Sequence, residues 1–236
     1  MKKIFIKIYV SIAFVLACPQ LAISLSNETE NMDWEGYQNQ VLSHQKNILG
    51  WCSKTKAKRM MDLIYQVQPE LCVELGVYGG ASIYPTAAAL KFLKRGKVFA
   101  VDPWNTFYCL EGHNSDTDKY RFWSSVDQDK VYDRFHQMLK NFQLNLYCEV
   151  KRMPSLNAVE DFLDESIDIL HIDGNHTETI ALRDAQMYLP KVKSGGYIWF
   201  DDANYEEVSK ALEFLTLYCD RITDLSTNEC FLFIKR

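Results

Sequence analysis

The chain has 236 residues, about a quarter of them charged and nearly half apolar, with a net charge of −5. That length accommodates one α/β domain with short additions. The acidic balance, and the lack of a Lys/Arg stripe beyond residue 60, argue against nucleic acid as a partner.

The N-terminus has its own character. Lys2, Lys3 and Lys7 precede an almost wholly apolar segment, Ile8 to Ala17. This is the layout of a secretory signal peptide, too short for a comfortable span of ~20 residues. Ala22-Ile23-Ser24 offers small residues for cleavage, while Val15-Leu16-Ala17-Cys18 loosely resembles a bacterial lipobox. Residues 1–25 are therefore expected to be a signal peptide or a retained hydrophobic segment. The protein would be exported or membrane-anchored, or cytoplasmic if the signal is not used. Membrane association would come through this segment alone. Its removal would take three lysines and no acid, moving the net charge from −5 to −8.

Residues 26–54 read as a polar linker and an N-terminal helix, and residues 55–236 as the main domain. Met60, Met61, Ile64 and Val67 recur at helical spacing, and Pro69 ends that helix. Short apolar runs then alternate with helical stretches. Strands are expected at Leu71–Val77, Lys97–Trp104, Leu144–Lys151, Ile167–Asp173 and Tyr197–Asp201. Helices are expected at Ala81–Lys94, Asp129–Asn141, Leu156–Leu163, Glu178–Leu189 and Tyr205–Tyr218. A hairpin of Arg221–Leu225 and Cys230–Lys235 follows. Residues Asn105–Asp127 read as a long aromatic-rich insertion, a length that is usually functional or disordered.

Repeated βα units imply an α/β, Rossmann-like, doubly wound sheet. Seven strands fit, mostly parallel with an antiparallel last strand. Ligands of such sheets bind outside the carboxyl ends of the strands.

Those ends carry the chemistry. The first reads Glu74-Leu75-Gly76-Val77-Tyr78-Gly79-Gly80. Gly76, Gly79 and Gly80 would let backbone approach a ligand, and the following helix would point free N–H groups at it. The turn is neither GxGxxG nor a P-loop. Glu74 would repel a pyrophosphate but pair with an ammonium group, which favours S-adenosylmethionine (SAM) over NAD or ATP. Asp102, ending the second strand, is placed to bind both ribose hydroxyls. Ser155, after the third strand, would border an adenine ring or cap the next helix.

The fourth and fifth strands end in Asp173 and in Asp201-Asp202. Converging carboxylates call for a compensating cation, and the oxygen donors suit Mg²⁺. Alternatively, Asp201 or Asp202 caps the next helix and Asp173 holds its turn. His176 would be a general base, a metal ligand, or neither; His171 reads as a core residue. No CxxC pair occurs among the seven cysteines. Cys72 and Cys148 read as buried thiols, and Cys219 with Cys230, flanking the hairpin, is the pair to check for a disulfide.

The glycine turn, Val101-Asp102-Pro103-Trp104, Ile169-Leu170-His171-Ile172-Asp173-Gly174-Asn175-His176, and the run from Leu189 through Gly195-Gly196 to Asp201-Asp202 resemble the class I SAM-dependent methyltransferases. More narrowly they resemble methyltransferase family 24, related to catechol-type and macrolide-sugar O-methyltransferases and to cephalosporin-hydroxylase-like proteins. The resemblance covers about residues 55–236. It implies O-methylation of a small-molecule acceptor. SAM would be held by Glu74, Gly76, Gly79, Gly80, Asp102, Ser155 and Asp173, and Mg²⁺ by Asp173, Asp201 and Asp202. His176 and Asp173 would be catalytic, with His176 taking the proton. Asp202 departs from the Asn usual in catechol-type enzymes, and no lysine base of that type is assigned. A homo-oligomer is compatible with the sequence. The alternatives are an exported non-catalytic binding module and a metal-dependent oxygenase-like enzyme, although the two-His–one-carboxylate triad of the latter is not evident.

Overall fold

The computed structural model describes residues 32–236. The signal or anchor expected at residues 1–25 lies outside them. Among the described residues no helix is long and apolar enough to cross a membrane.

Helix α1 (Trp34–Gln45) begins at Asp33, whose Oδ1 accepts the Gly36 N–H at 2.9 Å. Residues 38–236 form one compact unit. In it α2 (Lys54–Val67) is capped by Ser53, whose side chain accepts the Lys56 N–H, and ends on Gln68 in the left-handed region. Then follow β1 (Leu71–Leu75), α3 (Ile83–Leu93), β2 (Lys97–Val101), α4 (Thr106–Leu110), α5 (Asp118–Ser125), α6 (Gln128–Asn141) and β3 (Cys148–Lys151). The remainder is α7 (Ser155–Ala158), β4 (Ile167–Ile172), α8 (Glu178–Tyr188), β5 (Val192–Phe200), α9 (Ser209–Thr216), β6 (Cys219–Ile222) and β7 (Phe231–Lys235).

The sheet order is β3-β2-β1-β4-β5-β7-β6. All neighbours run parallel except β7, which lies antiparallel between β5 and β6. The expected doubly wound, seven-stranded sheet is the one observed. Alternation along the strands sorts two apolar layers. Val73, Leu75, Leu170, Ile172, Ile198 and Phe200 meet Ala181, Ala185 and Tyr188 of α8 and Ala211 and Leu215 of α9. On the opposite face Cys72, Glu74, Ile169, His171 and Trp199 meet Met60 and Ile64 of α2 and Thr86 of α3.

Several details differ from the sequence reading. The insertion is not one loop: α4 and α5 form in it because Asn105 and Thr117 accept the N–H groups of Phe107 and Tyr120. The helix expected at Leu156–Leu163 is the single turn of α7 followed by a 3₁₀ turn, Val159–Asp161. Cys219 and Cys230 are both free. Cys219 lies opposite Lys235 on β7, five residues and roughly 16 Å along the strand from Cys230, beyond disulfide reach.

Candidate active site

Register builds the site. Leu75 pairs with Val101 and with Ile172, and Ile172 pairs with Phe200. One residue further along each strand stand Gly76, Asp102, Asp173 and Asp201, in a row across the sheet edge. The ladder continues into them: Gly76 donates to the Val101 carbonyl, Asp173 to Leu75 and Asp201 to Ile172, each at 2.9 Å. Over this row opens a cleft of about 660 Å³, within the usual size of a small-molecule site.

Gly76 lines the cleft at φ +79°, and a Cβ there would overlap the Asp173 carbonyl at 2.1 Å. Only glycine allows the two loops to meet this closely. Gly79 and Gly80 are off the cleft wall; a Cβ would strike Leu49 at 2.5 Å in one case and Met138 at 2.7 Å in the other. Their smallness serves packing behind the turn.

Glu74 is also off the cleft. Strand alternation sends its buried side chain toward α2 and α3, where Oε1 accepts the Ser82 hydroxyl at 2.6 Å and Oε2 lies 3.1 Å from His171 Nδ1. Burial pushes the Glu74 carboxyl up to about 7, against the Ser82 hydrogen bond and Lys56, which draw it down.

Asp102 lies at the cleft. Its Oδ2 accepts the backbone N–H groups of Val77 and Tyr78, and Oδ1 that of Trp104 at 2.7 Å. A carboxylate has about four lone-pair positions, so one remains, on Oδ1. Burial raises its pKa while these three N–H groups hold it down. Ser155 is the first residue of α7 and lines the cleft; it does not cap the helix with its side chain. It donates instead to Asp184 Oδ1 at 2.7 Å, and burial raises the Asp184 carboxyl to about 6.

The expected metal set is divided. Asp201 is buried, with Oδ2 bonded to the Lys56 ammonium and 3.5 Å from His171 Nε2. Lys56 Nζ is also 3.8 Å from Asp173 Oδ2. His176 Nε2 lies 2.8 Å from Asp202 Oδ2 and 3.8 Å from Asp173 Oδ1. Burial works against a charge on His176, yet Asp173 and Asp202 outweigh it and lift its pKa to about 9. Burial, helped by Lys56, lowers His171 to about 3, leaving that ring neutral. Asp173, His176 and Asp202 have ligand atoms within 4.8 Å of one another, as do His171, Asp201 and Cys230. The set Asp173, Asp201 and Asp202 does not fit a shared Mg²⁺, because an ammonium already sits on Asp201.

No sequence motif marks Lys56. It stands one turn before Met60 and two before Ile64, so a lysine in phase with the apolar stripe was the available signal. The aromatic rim was likewise only half visible. Trp51 stacks on Tyr78 at 5.2 Å, and Phe122 and Trp123 of α5 meet Trp51 edge-on at 5.8 and 6.3 Å; all four line the cleft. Lys119 of α5 lies 4.1 Å from the Tyr205 ring centroid and 3.4 Å from Glu207. Asn175 donates to the carbonyls of Tyr108 and Glu111. The insertion thus reaches from the Asp102 loop to the loops after β4 and β5.

A family model described as a methyltransferase domain, of methyltransferase family 24, matches residues 73–203, more than half the chain. Two uncharacterized proteins are similar in sequence. One, from Sinorhizobium fredii, is 26% identical over 62% of this chain and 14% of its own length. The other, from Acanthamoeba polyphaga mimivirus, is 28% identical over 55% and 50%. The chain thus spans half or less of these relatives.

Among solved structures, the S-adenosylhomocysteine (SAH)-bound methyltransferase of Podospora anserina aligns with a TM-score of 0.60 at 10% identity, covering 98% of this chain and all of that one. The Bacillus cereus O-methyltransferase in complex with SAH gives 0.54 at 16% identity, covering 91% and 97%. A putative caffeoyl-CoA O-methyltransferase of Staphylococcus aureus gives 0.56 at 13%, covering 92% and 98%. At these identities the likeness is one of fold. The matched span runs from β1 to just past Asp202 and contains every strand end that forms the cleft floor, so the chain belongs to methyltransferase family 24.

Proposed function

We propose that the protein is a SAM-dependent O-methyltransferase acting on a hydroxyl of a small molecule. The observation that carries this reading is the single cleft joining the Gly76 turn and Asp102 at one end to His176 and its carboxylates at the other. SAM supplies an electrophilic methyl group on a sulfonium sulfur. The Gly76 turn would bring backbone within reach of it, the free lone pair of Asp102 would suit one ribose hydroxyl, and Ser155 and Asp184 would border the adenine side. His176 would take the acceptor proton, with Asp173 and Asp202 holding its ring. Trp51, Tyr78, Phe122 and Trp123 offer faces suited to a phenol, a sugar or an apolar acceptor.

The readout is calorimetric titration of SAM into the full chain beside Asp102→Ala, followed by SAH formation across phenols and sugars. Micromolar binding that the substitution weakens, with turnover of one acceptor class, is the expected result. Absence of SAM binding would favour a non-catalytic module instead. We also propose that residues 1–25 direct export or anchoring, to be tested by fusing them to a reporter active only outside the cytoplasm.

A further inference from the structure

Three carboxylates, Asp173, Asp201 and Asp202, gather where β4 and β5 end, with Glu74 buried behind them. Such a group needs positive charge. The chain supplies one from outside the region matched by the family model. Lys56 lies in the first turn of α2, and its side chain is only 7% exposed. Two effects oppose a lysine there. The helix N-terminus carries partial positive charge, which is unfavourable to a cation, and α2 has no acidic residue in its first turn to offset it. Burial of an ammonium adds a larger penalty unless it is paired. Both are met by Asp201, to which Nζ is bonded, and by Asp173 at 3.8 Å. The position is fixed from behind: the Ser53 cap bonds the Lys56 backbone N–H at 3.1 Å, and Met60 and Ile64 seat the same face of α2 on the sheet. Lys56 also lines the cleft, so its charge faces the space where an acceptor would sit.

We infer that Lys56 is a tethered counter-cation that takes the place of a divalent ion between Asp173 and Asp201, so that the protein binds no such ion at this pair. A lysine so placed is present at every metal concentration. Its single charge can be shared with a neutral or anionic acceptor oxygen without a metal bond to break. This goes beyond the proposed activity and does not depend on it, since metal binding is read without SAM or acceptor.

The test uses the full chain and Mn²⁺ alone, with the loss of the free-ion resonance as readout. Wild type is expected to show no Mn²⁺ binding at micromolar concentrations that Asp201→Asn weakens. Lys56→Met should open a site, tightening Mn²⁺ binding by at least about tenfold, and adding Asp201→Asn should close it again. Wild-type Mn²⁺ binding that is weakened by Asp201→Asn would overturn the inference, as would a folded Lys56→Met protein with no gain. Should Lys56→Met lose its fold, thermal melting decides. The double variant Lys56→Met/Asp201→Asn, which removes both charges, is expected to melt higher than Lys56→Met; an equal or lower midpoint would overturn the pairing. SAM titration of the same preparations reports separately on the proposed activity.

Discussion

The Asp102 carboxylate accepts the backbone N–H groups of Val77 and Tyr78 at 2.9 and 3.0 Å, so the end of β2 holds the glycine turn that ends β1. Asp102→Ala leaves these two donors and that of Trp104 without their partner. A buried unsatisfied group costs about 1–3 kcal/mol, so a marked drop in melting temperature is expected together with at least about tenfold weaker SAM binding. Asp102→Asn keeps one oxygen for two donors but turns an amide N–H₂ toward the third. It should fall between wild type and alanine in both melting and calorimetry.

Glu74→Gln separates a buried carboxyl from a cofactor ligand. The folded value of about 7 stands above the ordinary 4.5. The native state therefore holds the extra proton between these values, and stability declines as pH rises through that window. The glutamine variant escapes this decline. Its stability relative to wild type should increase between pH 4.5 and 7 by on the order of 1–3 kcal/mol and then level off. Denaturant midpoints across pH check it. SAM affinity should stay within a few fold, because the side chain is off the cleft wall; a large loss would show that Glu74 contacts the ammonium after all.

His176 is held protonated up to about 9 by Asp173 and Asp202. A general base works only when deprotonated, so kcat/KM for an active acceptor should climb about tenfold per pH unit below 9 and flatten above it. His176→Gln should lower turnover by roughly 10²–10⁴-fold while SAM binding, read by calorimetry, changes little. A flat pH profile would remove His176 from the proton transfer.

The described cysteines are all free. Burial raises Cys52, Cys109 and Cys230 to about 12 and Cys219 to about 11, and lifts Cys72 and Cys148 as well. Since the thiolate is the reactive form, an aromatic disulfide reagent at pH 8 should label these six slowly in the folded protein and all of them once it is unfolded. Rapid native labelling would show that these thiols are more open than the fold indicates.

The strand ends were legible because doubly covered parallel strands are apolar runs, and the first acid after each run marks the sheet edge. The sequence alone therefore places Asp102, Asp173 and Asp201 in one row. The direction of Glu74 could not: alternation puts it on the side of Cys72, but only packing shows that this is the α2–α3 face. Helices α4 and α5 were announced by Asn105 and Thr117, capping residues whose meaning is easily lost among aromatics. Lys56 reaches a carboxylate 145 residues away. No local pattern encodes such a contact, and only its place on an apolar stripe hinted at burial. The cut between Asp201 and Asp202, consecutive residues facing different cations, depends on side-chain direction alone.

Strand β7 has a consequence for the order of assembly. It lies between β5 and β6, so β5, which delivers Asp201 and Asp202, gains its outer neighbour only from residues 231–235. During synthesis β5 remains a bare sheet edge, with unpaired backbone groups that invite pairing with other chains, until some thirty further residues have followed it. The carboxylate end of the cleft is thus among the last parts of the molecule to be zipped shut. A nascent chain stalled before that point would have its Gly76–Asp102 end formed and its Asp201–Asp202 end unfinished.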